Sequence, residues 1–265
     1  MQSNNPVLSR AFANPSRTYE TQHAPSAEQL ERMYEAPPAG PLQTGRMTYD
    51  DVVVKTGILL AVVVGGAVVG WQMPGLAMIG LIVGLVLGLV NAFKREPTPA
   101  LMVAYAAFMG LFLGGISWMF ETTAVMGQPL NGIVAQAIIG TMGVFGVALW
   151  AYRTKRVRVT PKFQRGVLIA LGGYLVFVVV NLLYMIFSSD AGPLGFRSGW
   201  LGIAIGLFAI TLAALVLILD FDFVEKGVQA GIPAKYAWTA AFGLTVTLIW
   251  LYVEMLRLLA ILRGE

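Results

Sequence analysis

The chain has 265 residues, of which 57% are hydrophobic and only 12% charged, and its mean hydropathy is +0.72. Soluble domains carry about 25% charged residues because their surface must be wetted, so this composition excludes a water-soluble globular protein. The formal net charge is +4, but the basic residues sit in short stretches between apolar runs, which speaks against nucleic acid as a partner.

The chain has no cysteine, which removes disulfides, thiolate metal sites and cysteine nucleophiles. Its single histidine, His23, lies in a polar tail, so no histidine-built metal site or triad is expected. Residues 1–46 are rich in Pro, Ser, Asn and Gln and show no sustained period. They read as a disordered cytoplasmic tail with a short helix over 26–34, or alternatively as a segment that docks a partner. The first apolar run begins after residue 50, so no cleavable signal peptide is expected.

Seven apolar runs follow, over 52–71, 76–93, 100–120, 132–152, 166–187, 199–219 and 237–262. At 1.5 Å per residue each can cross about 30 Å of hydrocarbon. Lipid cannot satisfy free backbone groups, so the runs must be helices; barrel strands would be shorter and would alternate. The predicted fold is an all-α membrane protein, with a seven-transmembrane helix bundle over 47–265. The chain as a whole would sit in the lipid bilayer of the plasma membrane.

Orientation follows from Lys and Arg. The tail carries Arg10, Arg17, Arg32 and Arg46, and the second loop carries Lys94 and Arg95. The fourth loop holds Arg153, Lys155, Arg156, Arg158, Lys162 and Arg165, and the sixth holds Lys226 and Lys235. The first and third loops have none, and the fifth has only Arg197. The even loops share a side with the N-terminus, which the positive-inside rule makes cytoplasmic, and seven crossings then put Glu265 outside.

Trp71, Trp118, Trp150, Tyr152 and Trp200 fall near predicted helix ends, where amphipathic rings anchor at the headgroups. Gly80, Gly84 and Gly88 form a small-residue stripe, and Gly66/Gly70 and Gly110/Gly114 repeat its spacing. Such stripes let helix backbones approach closely, here within one bundle more readily than between copies.

Because the runs are nearly free of charge, the exceptions matter. Glu121 lies at a predicted outer edge. Glu254 and Arg257 are three residues apart on the seventh run and can pair, either as a self-neutralising couple or as part of an ion or proton path. Asp220 and Asp222 lie at the predicted cytoplasmic end of the sixth helix and point in different directions. One is either an exposed helix-end charge or a partly desolvated carboxylate able to sense pH or bind a cation. Tyr105, Gln136, Tyr174, Asn181 and Thr247 could extend a polar path, or each could make a single interhelical hydrogen bond. No nucleotide, metal or nucleophile motif occurs, so no catalytic residue, resident cofactor or enzymatic activity is expected.

Three phrases, GLFLGGIS over 110–117, LILDFD over 217–222 and LTVTLIWLYVEMLRLL over 244–259, together with the seven-run layout, resemble the Bax inhibitor-1/YccA-like membrane proteins. The chain looks like a member of the actinobacterial type with an added N-terminal tail. The resemblance implies a bundle built around a central seventh helix. For some members it implies a pH-sensitive calcium leak, gated by one aspartate ending the sixth helix and another within the seventh. The first matches Asp222 or Asp220, and a basic group that can pair with it matches Lys94 or Arg95.

At the second position this chain has Thr247, which can neither share a proton as a carboxylate does nor lend charge to calcium. Glu254, seven residues on, could stand in only with a shifted site. Met109 occupies a position where many members have an acidic residue. The ions implied are calcium or protons. Other members of the family act as non-conducting regulators of proteolysis or stress responses, for which the partner would be a membrane protease or another membrane protein.

Overall fold

The computed structural model describes residues 45–122, 131–188 and 195–264. The tail before residue 45, with the helix expected over 26–34, lies outside them. Seven long helices account for nearly all of the described chain: α1 (Tyr49–Gln72), α2 (Ala77–Phe93), α3 (Pro99–Thr122), α4 (Ile133–Arg153), α5 (Pro161–Phe187), α6 (Gly199–Gln229) and α7 (Ala237–Gly264). Short 3₁₀ turns at Pro74–Leu76 and Ala234–Tyr236 lead into α2 and α7. All seven helices are long and apolar enough to span a membrane.

The helix starts follow local chemistry. Thr48 accepts a hydrogen bond from the Asp51 amide at 3.1 Å, while Asp51 accepts from the Thr48 amide at 3.3 Å, a reciprocal cap that opens α1. Thr160 accepts from the Phe163 amide at 3.2 Å, directly before Pro161. The first turn of α4 is capped from outside, because the Glu121 carboxylate at the end of α3 accepts from the amides of Gly132 and Val134.

One boundary differs from the sequence expectation. The sixth helix does not stop near Leu219 but runs ten residues further, to Gln229. Phe221, Val224 and Gly227 continue its buried face, and no breaker intervenes before Gly231, at φ +62°, and Pro233. Asp220 and Asp222 therefore sit inside α6, with about two further turns beyond Asp222.

The seventh helix is central. In its most apolar 18-residue window 61% of residues are buried, against 17% in α1, α2 and α5, 22% in α4 and 44% in α3 and α6. It packs on α1, α3, α4 and α6. The outward faces of α2 and α5 are apolar and exposed, with Ile79, Ile82, Leu85, Ile169, Val176 and Ile186 among them. That is the surface a bilayer requires.

Small residues set the tightest contact. α1 and α3 meet where Gly66 and Gly70 face Ala107, Gly110 and Leu111, and where Gly114 faces Ala67. A Cβ at Gly70 would lie 2.2 Å from the Leu111 carbonyl oxygen, and one at Gly114 would lie 2.0 Å from that of Ala67. The stripe on α2 serves the same purpose against α3, with Gly80 facing Phe108 and Phe112, Gly84 facing Met109 and Gly88 facing Tyr105.

Two sets of contacts tie the ends of the bundle. At the basic end Lys235 pairs with Glu96 at 3.4 Å, the Tyr152 hydroxyl bonds Glu225, and residues 45–47 lie antiparallel to the connection between α6 and α7. There the Met47 amide donates to the Ile232 carbonyl and the Ala234 amide donates to the Gly45 carbonyl, each at 2.8 Å. At the opposite end Arg263 donates to the Asn131 carbonyl at 2.8 Å.

Candidate functional site

Of the two acidic residues near the end of the sixth apolar run, Asp220 faces the central helix. Thr247 of α7 donates its hydroxyl to Asp220 Oδ2 at 2.7 Å and shares it with the Gly243 carbonyl at 3.1 Å. Gly243 lies one turn before Thr247 on the same face, and a Cβ there would lie 3.6 Å from Asp220 Oδ1, so the glycine leaves room beside the carboxylate. No basic side chain among the described residues pairs with Asp220. Asp220, one of the two candidates for the first gate position, and Thr247, at the second, thus touch across the α6–α7 contact.

Asp222 points elsewhere, as a two-residue step on a helix demands. It pairs with Lys226, one turn along α6, at 2.6 Å. Lys94 and Arg95, proposed as partners of the aspartate, are exposed at the end of α2, and neither forms an ion pair among the described residues. The ion pair that joins this loop to the α6–α7 connection is Glu96–Lys235.

Glu254 occupies a second polar layer on the opposite half of α7. It is buried, only 3% exposed, and so is Arg197, at 4%. Arg197 Nη2 lies 3.2 Å from Glu254 Oε2, and Arg257 reaches Oε1 at 3.0 Å from one turn further along α7. The Tyr174 hydroxyl of α5 donates to Glu254 Oε1 at 2.5 Å and is also hydrogen-bonded to Arg197. The Arg197 guanidinium lies 5.4 Å from the centre of the Tyr174 ring and 5.7 Å from that of Phe177. A buried carboxylate needs such partners, and two guanidiniums with a phenol supply them. The cluster ties α5, the segment before α6, and α7 together.

Between the two layers lies hydrocarbon. Thr247 and Glu254 are seven residues apart, about 10 Å along the helix. Leu248 and Leu251 of α7 pack with Leu217 of α6 in one apolar cluster. The remaining polar candidates do not bridge it. Tyr105 packs edge-on to Phe242 at 5.0 Å, Gln136 is exposed on α4, and Asn181 accepts from the Phe196 amide at 2.8 Å. Among the described residues no group of three or more Asp, Glu, His or Cys side chains could hold a metal ion.

Sequence reasoning paired Glu254 with Arg257 but missed Arg197. One signal for it was present: Arg197 is the single basic residue in the loops of the end opposite the basic one, where a cation is out of place unless it has a partner. The Ser117–Tyr252 contact between α3 and α7, at 2.6 Å, was missed as well, because nothing in either residue's neighbourhood announces a partner 135 residues away.

No curated protein matches the chain. A family model described as Bax inhibitor 1 like matches residues 5–264, nearly the whole sequence, and with the seven-span bundle around its last helix already in view, the chain belongs to the Bax inhibitor 1 like family of integral membrane proteins.

Proposed function

We propose that the protein is a pH-responsive cation leak, for calcium or protons, with Asp220 as its titrating site. The observation that carries this reading is Asp220 itself: a carboxylate turned towards the central helix, held by a threonine hydroxyl, and paired with no basic side chain among the described residues. Charge placed at membrane depth without a protein counter-ion is costly, so such a carboxylate is suited to exchange a proton or a metal cation. In this reading the arrangement corresponds to a closed state, because the leucine layer separates Asp220 from the Glu254 cluster. Conduction would need α6 and α7 to part along that layer. The role is transport rather than catalysis, with no resident cofactor.

By the positive-inside rule, the basic end and the N-terminus face the cytoplasm of a cell whose plasma membrane holds the bundle. Reporter tags at the two termini should then read opposite sides. The leak itself is tested by reconstituting the full chain in liposomes that contain a calcium indicator or a pH dye. Flux above protein-free vesicles that varies with pH supports the reading; none at any pH contradicts it.

One observation favours a second reading, a non-conducting regulator that acts through a membrane protease or another membrane protein. Residues 45–47 are hydrogen-bonded to the α6–α7 connection, so a partner that pulls on the preceding tail would act directly on the two helices that carry Asp220 and Thr247. Absence of flux, together with partner capture that depends on the tail, would favour this alternative.

A further inference from the structure

A crevice of about 430 Å³ opens on the side of the bundle between α1 and α4. Its walls are Val64, Ala67 and Val68 on one side and Ile138 and Met142 on the other. Its floor is made by α3 and α7, with Leu113, Ile249 and the Ser117–Tyr252 pair. Ligand pockets span about 300–1,000 Å³, so the crevice is of binding-site size.

The medium at its mouth identifies what enters. Val64, Val68, Ile138 and Met142 are each about half exposed or more, and they lie within helices that span the membrane, so the opening faces hydrocarbon and not water. Water has no reason to occupy the interior, because it needs two to four polar partners. The hydroxyls of the interior are already bonded: Ser117 with Tyr252, and Thr141 to the Ala137 carbonyl at 2.7 Å. An empty space of this size would forfeit dispersion contacts along all four helices. Trp71 and Gln72 line the crevice where it nears the end of α1, an aromatic and an amide suited to the headgroup level.

We propose that this crevice is a lipid site, occupied by one acyl chain of a phospholipid from the leaflet at the Gln72 end, its headgroup beside Trp71 and Gln72. The chain lies against Leu248, Ile249 and Tyr252 of α7, next in sequence to Thr247. Lipid composition would thereby reach the central helix directly.

The test uses the full-length protein in phosphatidylcholine vesicles doped with a phosphatidylcholine that carries a diazirine on its acyl chain. After photolysis, labelled residues are mapped by peptide mass spectrometry. Label is expected on Leu113 and Ile249, both nearly buried, in addition to outward residues such as Ile82 and Ile169. Val64→Trp and Met142→Trp fill the crevice from opposite walls at positions already exposed to lipid. Each should abolish label at Leu113 and Ile249 while leaving label at Ile82 and Ile169 unchanged, the latter showing that the bundle is intact. Label at Leu113 and Ile249 no greater than at fully buried Leu217 would overturn the proposal, as would label indifferent to both substitutions. A crosslink from the crevice to a segment of this chain instead of lipid would overturn it too.

Discussion

Thr247 of the central helix donates a 2.7 Å hydrogen bond to Asp220 of α6, and this bond joins the second position of the expected two-aspartate gate to one of the two candidates for the first. The threonine does not duplicate the missing carboxylate. It holds the remaining one in place by its hydroxyl, and Gly243 leaves space beside it. Thr247→Val keeps the shape but leaves the carboxylate without its donor, at a cost of about 1–3 kcal/mol. Thr247→Asp should do something different: with a second carboxylate beside Asp220 the two share protons, and any flux should respond more steeply to pH than in the natural protein. An unchanged steepness would show that Asp220 does not govern the response.

The Glu254 cluster should behave as one unit. Glu254→Gln leaves the buried Arg197 without its counter-charge and should destabilise the bundle by about 3–5 kcal/mol, read as a lower thermal midpoint in detergent. Arg197→Met should cost a similar amount, and the double variant should cost clearly less than the sum of the two. Strict additivity would mean that the two groups do not interact. Arg197→Lys should rescue poorly, because an ammonium cannot reproduce the planar fork that reaches both Glu254 and Tyr174.

Backbone contact between α1 and α3 gives a third expectation. Gly114→Val places carbon against the Ala67 carbonyl and must push the helices apart, lowering folded yield and thermal midpoint. Gly143→Ala is the matched control: its Cβ would meet nothing within 4 Å, so stability should hold or rise slightly. Equal behaviour of the two variants would contradict the packing described for α1 and α3.

What the sequence made legible follows the physics of lipid. Helix number and rough extent are written in apolar run length, and close backbone approach within the bundle is written in glycine spacing, because both are local patterns in hydrocarbon; which helices the glycines join is not. The true end of α6 was hidden. Asp220 and Asp222 look like a charged helix terminus, yet Phe221, Val224 and Gly227 carry the buried face past them. Arg197 and Glu254 are 57 residues apart, so their pairing depends on how the segment before α6 folds inward. No periodicity encodes that. The lateral crevice was equally out of reach, since it arises from α1 and α4 standing apart, a property of the assembled bundle.

The role of Asp220 in a pH-responsive cation leak is read in pH-dependent calcium or proton flux in liposomes. The natural chain is compared with Asp220→Asn, Asp222→Asn and Lys94→Gln/Arg95→Gln. Asparagine at position 220 can still accept the Thr247 hydrogen bond but cannot titrate. Flux through Asp220→Asn should equal the low-pH flux of the natural chain at every pH. Asp222→Asn, which loses only a pair with Lys226, and the double change at exposed Lys94 and Arg95 should keep the natural pH profile. A natural pH profile retained by Asp220→Asn, or one abolished by Asp222→Asn alone, would contradict it.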